Sequence, residues 1–203
     1  MLIQVFSYFI EGLNPLMSHT FYSQHLMRSH HPMHSQSNLN ITYQNALEWT
    51  EPSHFKIPEA GSDAECAMLK QVEDLFTDYT TECLQKKLPR VYADKIYFRD
   101  AFKQYNASDE LLHYMLQGVQ AVAGVKFVFN HTMRSKDEFF IEWTMSIRFK
   151  GKEDFETSIG MSRFRFNSEG QVIFHQDYWD PTTLIYEKIP IAKQLIGFVQ
   201  KRL

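Results

Sequence analysis

The chain has 203 residues, 44% hydrophobic and 15% aromatic, enough for one packed core with an extension. The formal net charge of −3 excludes a generally basic nucleic-acid binder. With two cysteines, Cys66 and Cys83, a disulfide scaffold and a cysteine-rich zinc module are also excluded. No run of 18 apolar residues occurs, so no membrane span is expected.

The N-terminal stretch lacks the basic start of a signal peptide and is broken by Glu11, Asn14 and Pro15. Up to residue 60 the only bases are Arg28 and Lys56, and the only acids are Glu11, Glu48, Glu51 and Glu59. Residues 1–60 therefore read as a weakly structured extension and 61–203 as the folded domain. His30, His31 and His34 form a histidine tract, but no cysteine or carboxylate stands beside it, so no metal is expected. Both cysteines read as buried thiols within one helical pattern, which suits a reducing, cytoplasmic setting.

Ser62 can cap a helix whose first turn carries Asp63 and Glu65. Met68, Val72, Leu75, Phe76, Tyr79, Cys83 and Leu84 continue it as one apolar stripe, and Pro89 stops it or lies just beyond its end. A short strand is predicted over 96–100. Ser108, Asp109 and Glu110 open a second helix with Leu111, Leu112, Met115, Leu116 and Val119 on its core face. After Gly124 four strands are predicted, at 125–134, 139–149, 157–166 and 172–179, separated by hairpin-like polar turns. A last helical piece falls near 190–202. Helices followed by an antiparallel meander give an α+β domain.

Alternation places His175, Asp177 and Trp179 on one strand face. Two titratable groups beside an indole suit a pocket wall; an internal hydrogen-bonded pair is the structural alternative. Asp100 reads either as a carboxylate facing that pocket or as a turn cap. Trp143, Met145 and Ile147 share another strand face, and Arg163 and Arg165 a third, where solvation or ion pairing is expected. No glycine-rich phosphate loop, G-x-S-x-G elbow or H-E-x-x-H motif occurs.

Three segments, YADKIYFRDAF at 92–102, GMSRFRFNSEGQV at 160–172 and HQDYWDPTTL at 175–184, together resemble the nuclear transport factor two-like superfamily, in particular its SnoaL-like members. That group includes ketosteroid isomerases, polyketide cyclases, limonene epoxide hydrolases and scytalone dehydratases. The resemblance covers about residues 63–203 and implies a cone-shaped roll, a curved, mostly antiparallel sheet wrapped over N-terminal helices. It places Asp100 at the isomerases' general-base position and Asp177, with His175, at the cyclases' acid–base position. Ser162 falls where the isomerases carry a protonated aspartic acid, and Phe76 where they carry a pocket tyrosine. A serine donates a weaker hydrogen bond than a carboxylic acid and a phenylalanine donates none, so at least one expected oxyanion donor is missing.

Two functions are compatible with these residues. One is a cofactor-independent isomerase, cyclase or dehydratase acting on a small apolar molecule, with Asp177, Asp100 and His175 in catalysis and Ser162, Trp179, Trp143 and Phe76 lining the pocket. The other is a non-catalytic lipophilic-ligand-binding or scaffold domain. The resemblance also implies a homodimer through the outer sheet face.

Overall fold

The computed structural model describes residues 36–182, 184–188, 196–199 and 201. The chain divides between Trp49 and Thr50. Helix α1 (Gln36–Trp49) lies in the first unit. The His30–His34 tract lies outside the described residues, as does most of the helix expected at 190–202, of which 196–199 are helical.

The second unit runs from Thr50 and carries the sheet. Helix α2 (Asp63–Thr77) starts as expected, with the Ser62 hydroxyl accepting from Glu65 N–H. The single long stripe, however, is two helices. The chain breaks at 78–80, and α3 (Thr81–Val91) begins afresh where the Thr80 hydroxyl accepts from Cys83 N–H. A cap satisfies an orphan donor that a continuous helix would not have, so it marks a true start. Pro89 lies inside the last turn of α3 and the helix runs on to Val91. The cysteines therefore sit on different helices, and only Cys83 is buried; Cys66 is exposed.

Strands β1 (Tyr92–Arg99) and β2 (Gln104–Ala107) follow, then helix α4 (Ser108–Ala121). β1 starts four residues earlier than predicted, directly from α3, and β2 has no counterpart in the sequence prediction. The meander is β3 (Gly124–Ser135), β4 (Glu138–Arg148), β5 (Glu156–Phe166) and β6 (Val172–Trp179). The strand order is β2-β1-β6-β5-β4-β3. Among the described residues only β1 and β6 pair in parallel; the other four pairings are antiparallel. The result is a curved, unclosed sheet over helices, the expected α+β roll.

The core lies between the helices and the inner sheet face. Val72 and Leu75 of α2, Leu84 and Leu88 of α3 and Leu111 of α4 meet Phe98, Phe139, Ile141, Phe164 and Phe166 of the strands. Burial alternates along β4, with Phe139, Ile141, Trp143 and Met145 inward. Arg134 fastens the β3–β4 hairpin to the start of α2 through Glu65 (2.6 Å), while also reaching the Pro58 carbonyl (2.8 Å). On the outer face Arg163 and Arg165 both reach Glu138, so this arginine pair is ion-paired.

Candidate functional site

The β5–β6 register sets Ser162 opposite Asp177 and Phe164 opposite His175. Those pairings bring three of the predicted site residues into one hydrogen-bonded group. His175 Nε2 lies 2.7 Å from Asp177 Oδ1, and Ser162 Oγ donates to the same oxygen. Trp143 joins from β4, its Nε1–H donating to Ser162 Oγ at 2.8 Å. Trp143 reaches that position because its register partner is Gly160, whose missing side chain leaves room for the indole. At the other end Tyr92 Oη lies 2.8 Å from His175 Nδ1.

The imidazole is enclosed by rings. Phe164 stacks on it at 4.2 Å, and Phe98 and Phe76 meet it edge-on at 5.0 and 5.9 Å. Phe76 thus packs against the imidazole without offering it a polar group. The side chain of His175 is 2% exposed and that of Asp177 17%, so the aspartate is the accessible member. Asp177 Oδ2 makes no hydrogen bond among the described residues.

Asp100 directly follows β1 and has both oxygens occupied. Oδ1 accepts from Phe102 N–H (2.7 Å) and Lys103 N–H (2.6 Å), and Oδ2 accepts from the Tyr114 hydroxyl. This is the turn-capping geometry of an aspartate two and three residues ahead of its donors. Burial raises the Asp100 carboxyl above its usual range; the Tyr114 and backbone bonds oppose that rise, and the Asp177 charge adds to it. Among the described residues neither Asp100 nor Asp177 is ion-paired with a lysine or arginine.

Trp179 is on the face that alternation predicts, but one turn of the pleat further out. Its ring meets Phe102 at 5.6 Å, in the turn that Asp100 holds, and Phe102 also meets Tyr186. It forms an aromatic rim and takes no part in the hydrogen-bonded group.

Three tyrosines belong to this region and were not predicted for it. Tyr79 stacks on Phe76 and packs on Phe127, at 6.0 and 5.3 Å. Burial pushes its phenol pKa up, and the charges of Asp177 and Asp100 push it further, so the phenol stays protonated. It lies three residues after Phe76, just past the end of α2, and read as core because it continued the apolar stripe. Burial likewise raises the phenols of Tyr92 and Tyr114, which remain protonated donors. Tyr114 sits three residues after Leu111 on the same helix face, the one spacing that could have revealed it.

The arrangement is a carboxylate with one tied oxygen and one open oxygen, backed by a buried imidazole and walled by aromatic rings. Such a group can take or return a proton on a molecule held against it.

No family model matches the chain, and no curated protein matches it by sequence. Solved structures match it in three dimensions. An NTF2-like protein of unknown function from Exiguobacterium sp. 255-15 superposes with a TM-score of 0.50 at 16% identity, covering 56% of this chain and 98% of that one. An LEH-like epoxide hydrolase of M. tuberculosis gives 0.50 at 12% identity over 67% and 97% of the two chains. A protein of ketosteroid isomerase-like fold from Catenulispora acidiphila, solved with trimethylamine, gives 0.51 at 13% over 60% and 90%. The chain has the NTF2-like fold, the one its three motif segments imply.

Proposed function

We propose that this protein is a cofactor-independent acid–base enzyme, an isomerase, cyclase or dehydratase, acting on a small apolar molecule held against Asp177. The observation that carries this reading is the state of Asp177. Its side chain is only 17% exposed, Ser162 and His175 hold one carboxylate oxygen, and among the described residues the other oxygen makes no hydrogen bond, so it is placed to meet a reacting molecule. Asp177 is the proton-transfer residue, and His175 and Ser162 hold it. Phe76, Tyr79 and Trp143 wall the reacting centre, with Trp179 at its rim. Asp100 is the weaker candidate because its turn already uses both oxygens. The LEH-like epoxide hydrolase and the trimethylamine complex are precedents for small molecules on this fold. The free thiols of Cys66 and Cys83 fit a cytoplasmic location.

The test is proton exchange. Purified protein is incubated in D₂O with cyclic ketones, β-hydroxy ketones and epoxides, and products and deuterium incorporation are read by NMR. The expected result is catalysed exchange, elimination or ring opening on an apolar member of the panel. Tight retention of an apolar ligand with no exchange on any of them would instead support a binding protein.

A second reading concerns the outer face, where Val128, Met133, Ile159 and Tyr178 are large, apolar and exposed. Register places all four on the side of the sheet away from Asp177. We infer a homodimer through this face. Light scattering at micromolar concentration should give twice the chain mass, and Ile159→Glu should halve it; a monomer before substitution contradicts the dimer.

A further inference from the structure

Trp143, Ser162, Asp177, His175 and Tyr92 form one unbroken hydrogen-bonded chain, and its direction can be read from chemistry. An indole nitrogen only donates. Ser162 Oγ therefore accepts from Trp143 and spends its single proton on Asp177 Oδ1. From the other side the same oxygen meets His175 Nε2 at 2.7 Å. A carboxylate oxygen accepts, so the imidazole proton belongs on Nε2. In the neutral imidazole Nδ1 is then a lone pair, and the polar group facing it is the Tyr92 hydroxyl, at 2.8 Å.

We propose that Trp143 and Tyr92 are positioning residues that donate inward from the two ends of this chain, fixing His175 as its Nε2–H tautomer and leaving Asp177 Oδ2 as the open proton acceptor. The role given to Oδ2 rests on the acid–base reading above; the polarity itself does not. Two consequences follow. Ser162 is committed to the aspartate and is not a donor to substrate, although its position in the sequence matches an oxyanion donor. Tyr92 is also committed, because its hydroxyl is buried with the imidazole beneath Phe164, Phe98 and Phe76. The titratable groups facing the chain are Asp177 itself, Asp100 at the end of β1, and Tyr79 after α2. None of these supplies a cation that would reverse the direction.

The test is the imidazole nitrogen spectrum of the full-length, ¹⁵N-labelled protein at neutral pH. Long-range ¹H–¹⁵N correlations should show His175 protonated at Nε2 and imine-like at Nδ1. Tyr92→Phe should move the Nδ1 resonance toward that of an unbonded imine nitrogen while the proton stays on Nε2. A proton on Nδ1, protons on both nitrogens, or an Nδ1 resonance that Tyr92→Phe leaves unmoved would overturn the proposal. Ser162→Ala reports on the other end, and does so if Tyr92→Phe fails to fold. It should shift the Trp143 indole proton upfield, and an unmoved indole resonance would also overturn the polarity. None of these readouts requires a substrate. Correct polarity without turnover would count against the enzyme reading alone.

Discussion

Gly160 and Trp143 face each other across the β4–β5 ladder, and the indole fills the space that a side chain at position 160 would need. A Cβ on Gly160 would overlap three ring atoms of Trp143. The glycine is thus part of the site, because it lets the indole reach Ser162. Gly160→Ala should destabilise the fold by about 1–3 kcal/mol through overpacking. Urea denaturation measures this. In the Trp143→Phe background the same substitution should cost less, and equal costs in both backgrounds would show that the clash is relieved elsewhere.

The break between α2 and α3 gives a second prediction. Thr80→Ala removes the acceptor for Cys83 N–H and should cost about 0.5–2 kcal/mol, whereas Thr80→Ser should stay near the starting stability. Thermal or urea unfolding distinguishes them. Equal loss from both substitutions would point to packing of the methyl group in place of the cap.

Two carboxyls give opposite pH dependences. At Glu138 burial pushes upward, but the bonds to Arg163 and Arg165 win and hold the group below its ordinary 4.5. Its folded value is depressed, so its contribution is present above the unfolded value and lost as pH falls through the folded one. Asp100 is the reverse, raised above 3.8 chiefly by burial. Its native form binds the extra proton, so its contribution falls as pH rises from the unfolded value through the raised one. Glu138→Gln should flatten the acid limb of the stability–pH profile. Asp100→Asn should remove a decline that begins just above the unfolded value. Urea titrations between about pH 3 and pH 7 check both signs.

Much of the fold was legible because the strands are long and alternate cleanly. The predicted 172–179 matches β6, and the three other meander strands fall within a residue at each end. The four residues of β2 were not legible, since Gln104–Ala107 is a strand only through its pairing with β1. The α2–α3 break was hidden because Tyr79, Cys83 and Leu84 keep the apolar spacing across it. At the site, alternation brought His175 and Asp177 to one face correctly. It could not show that Ser162 lies opposite Asp177, because that depends on the β5–β6 register. Nor could it show that Trp143 bonds Ser162, which depends on a glycine two positions before the serine. Trp179 shares the face but not the group, because the strand ends there and its ring turns to Phe102.

The central claim is that the open oxygen of Asp177 moves the proton, and paired kinetics on Asp177→Asn and Asp100→Asn tests it most directly. Both substitutions keep the side-chain shape and remove the ionisable group. On any substrate that the deuterium-exchange panel reveals, Asp177→Asn should lower kcat by roughly 10²–10⁴ with the fold intact by circular dichroism. Asp100→Asn, which can still accept from Phe102 and Lys103 N–H, should retain turnover within about tenfold. Full turnover in Asp177→Asn together with its loss in Asp100→Asn would contradict the account and place the base at the end of β1.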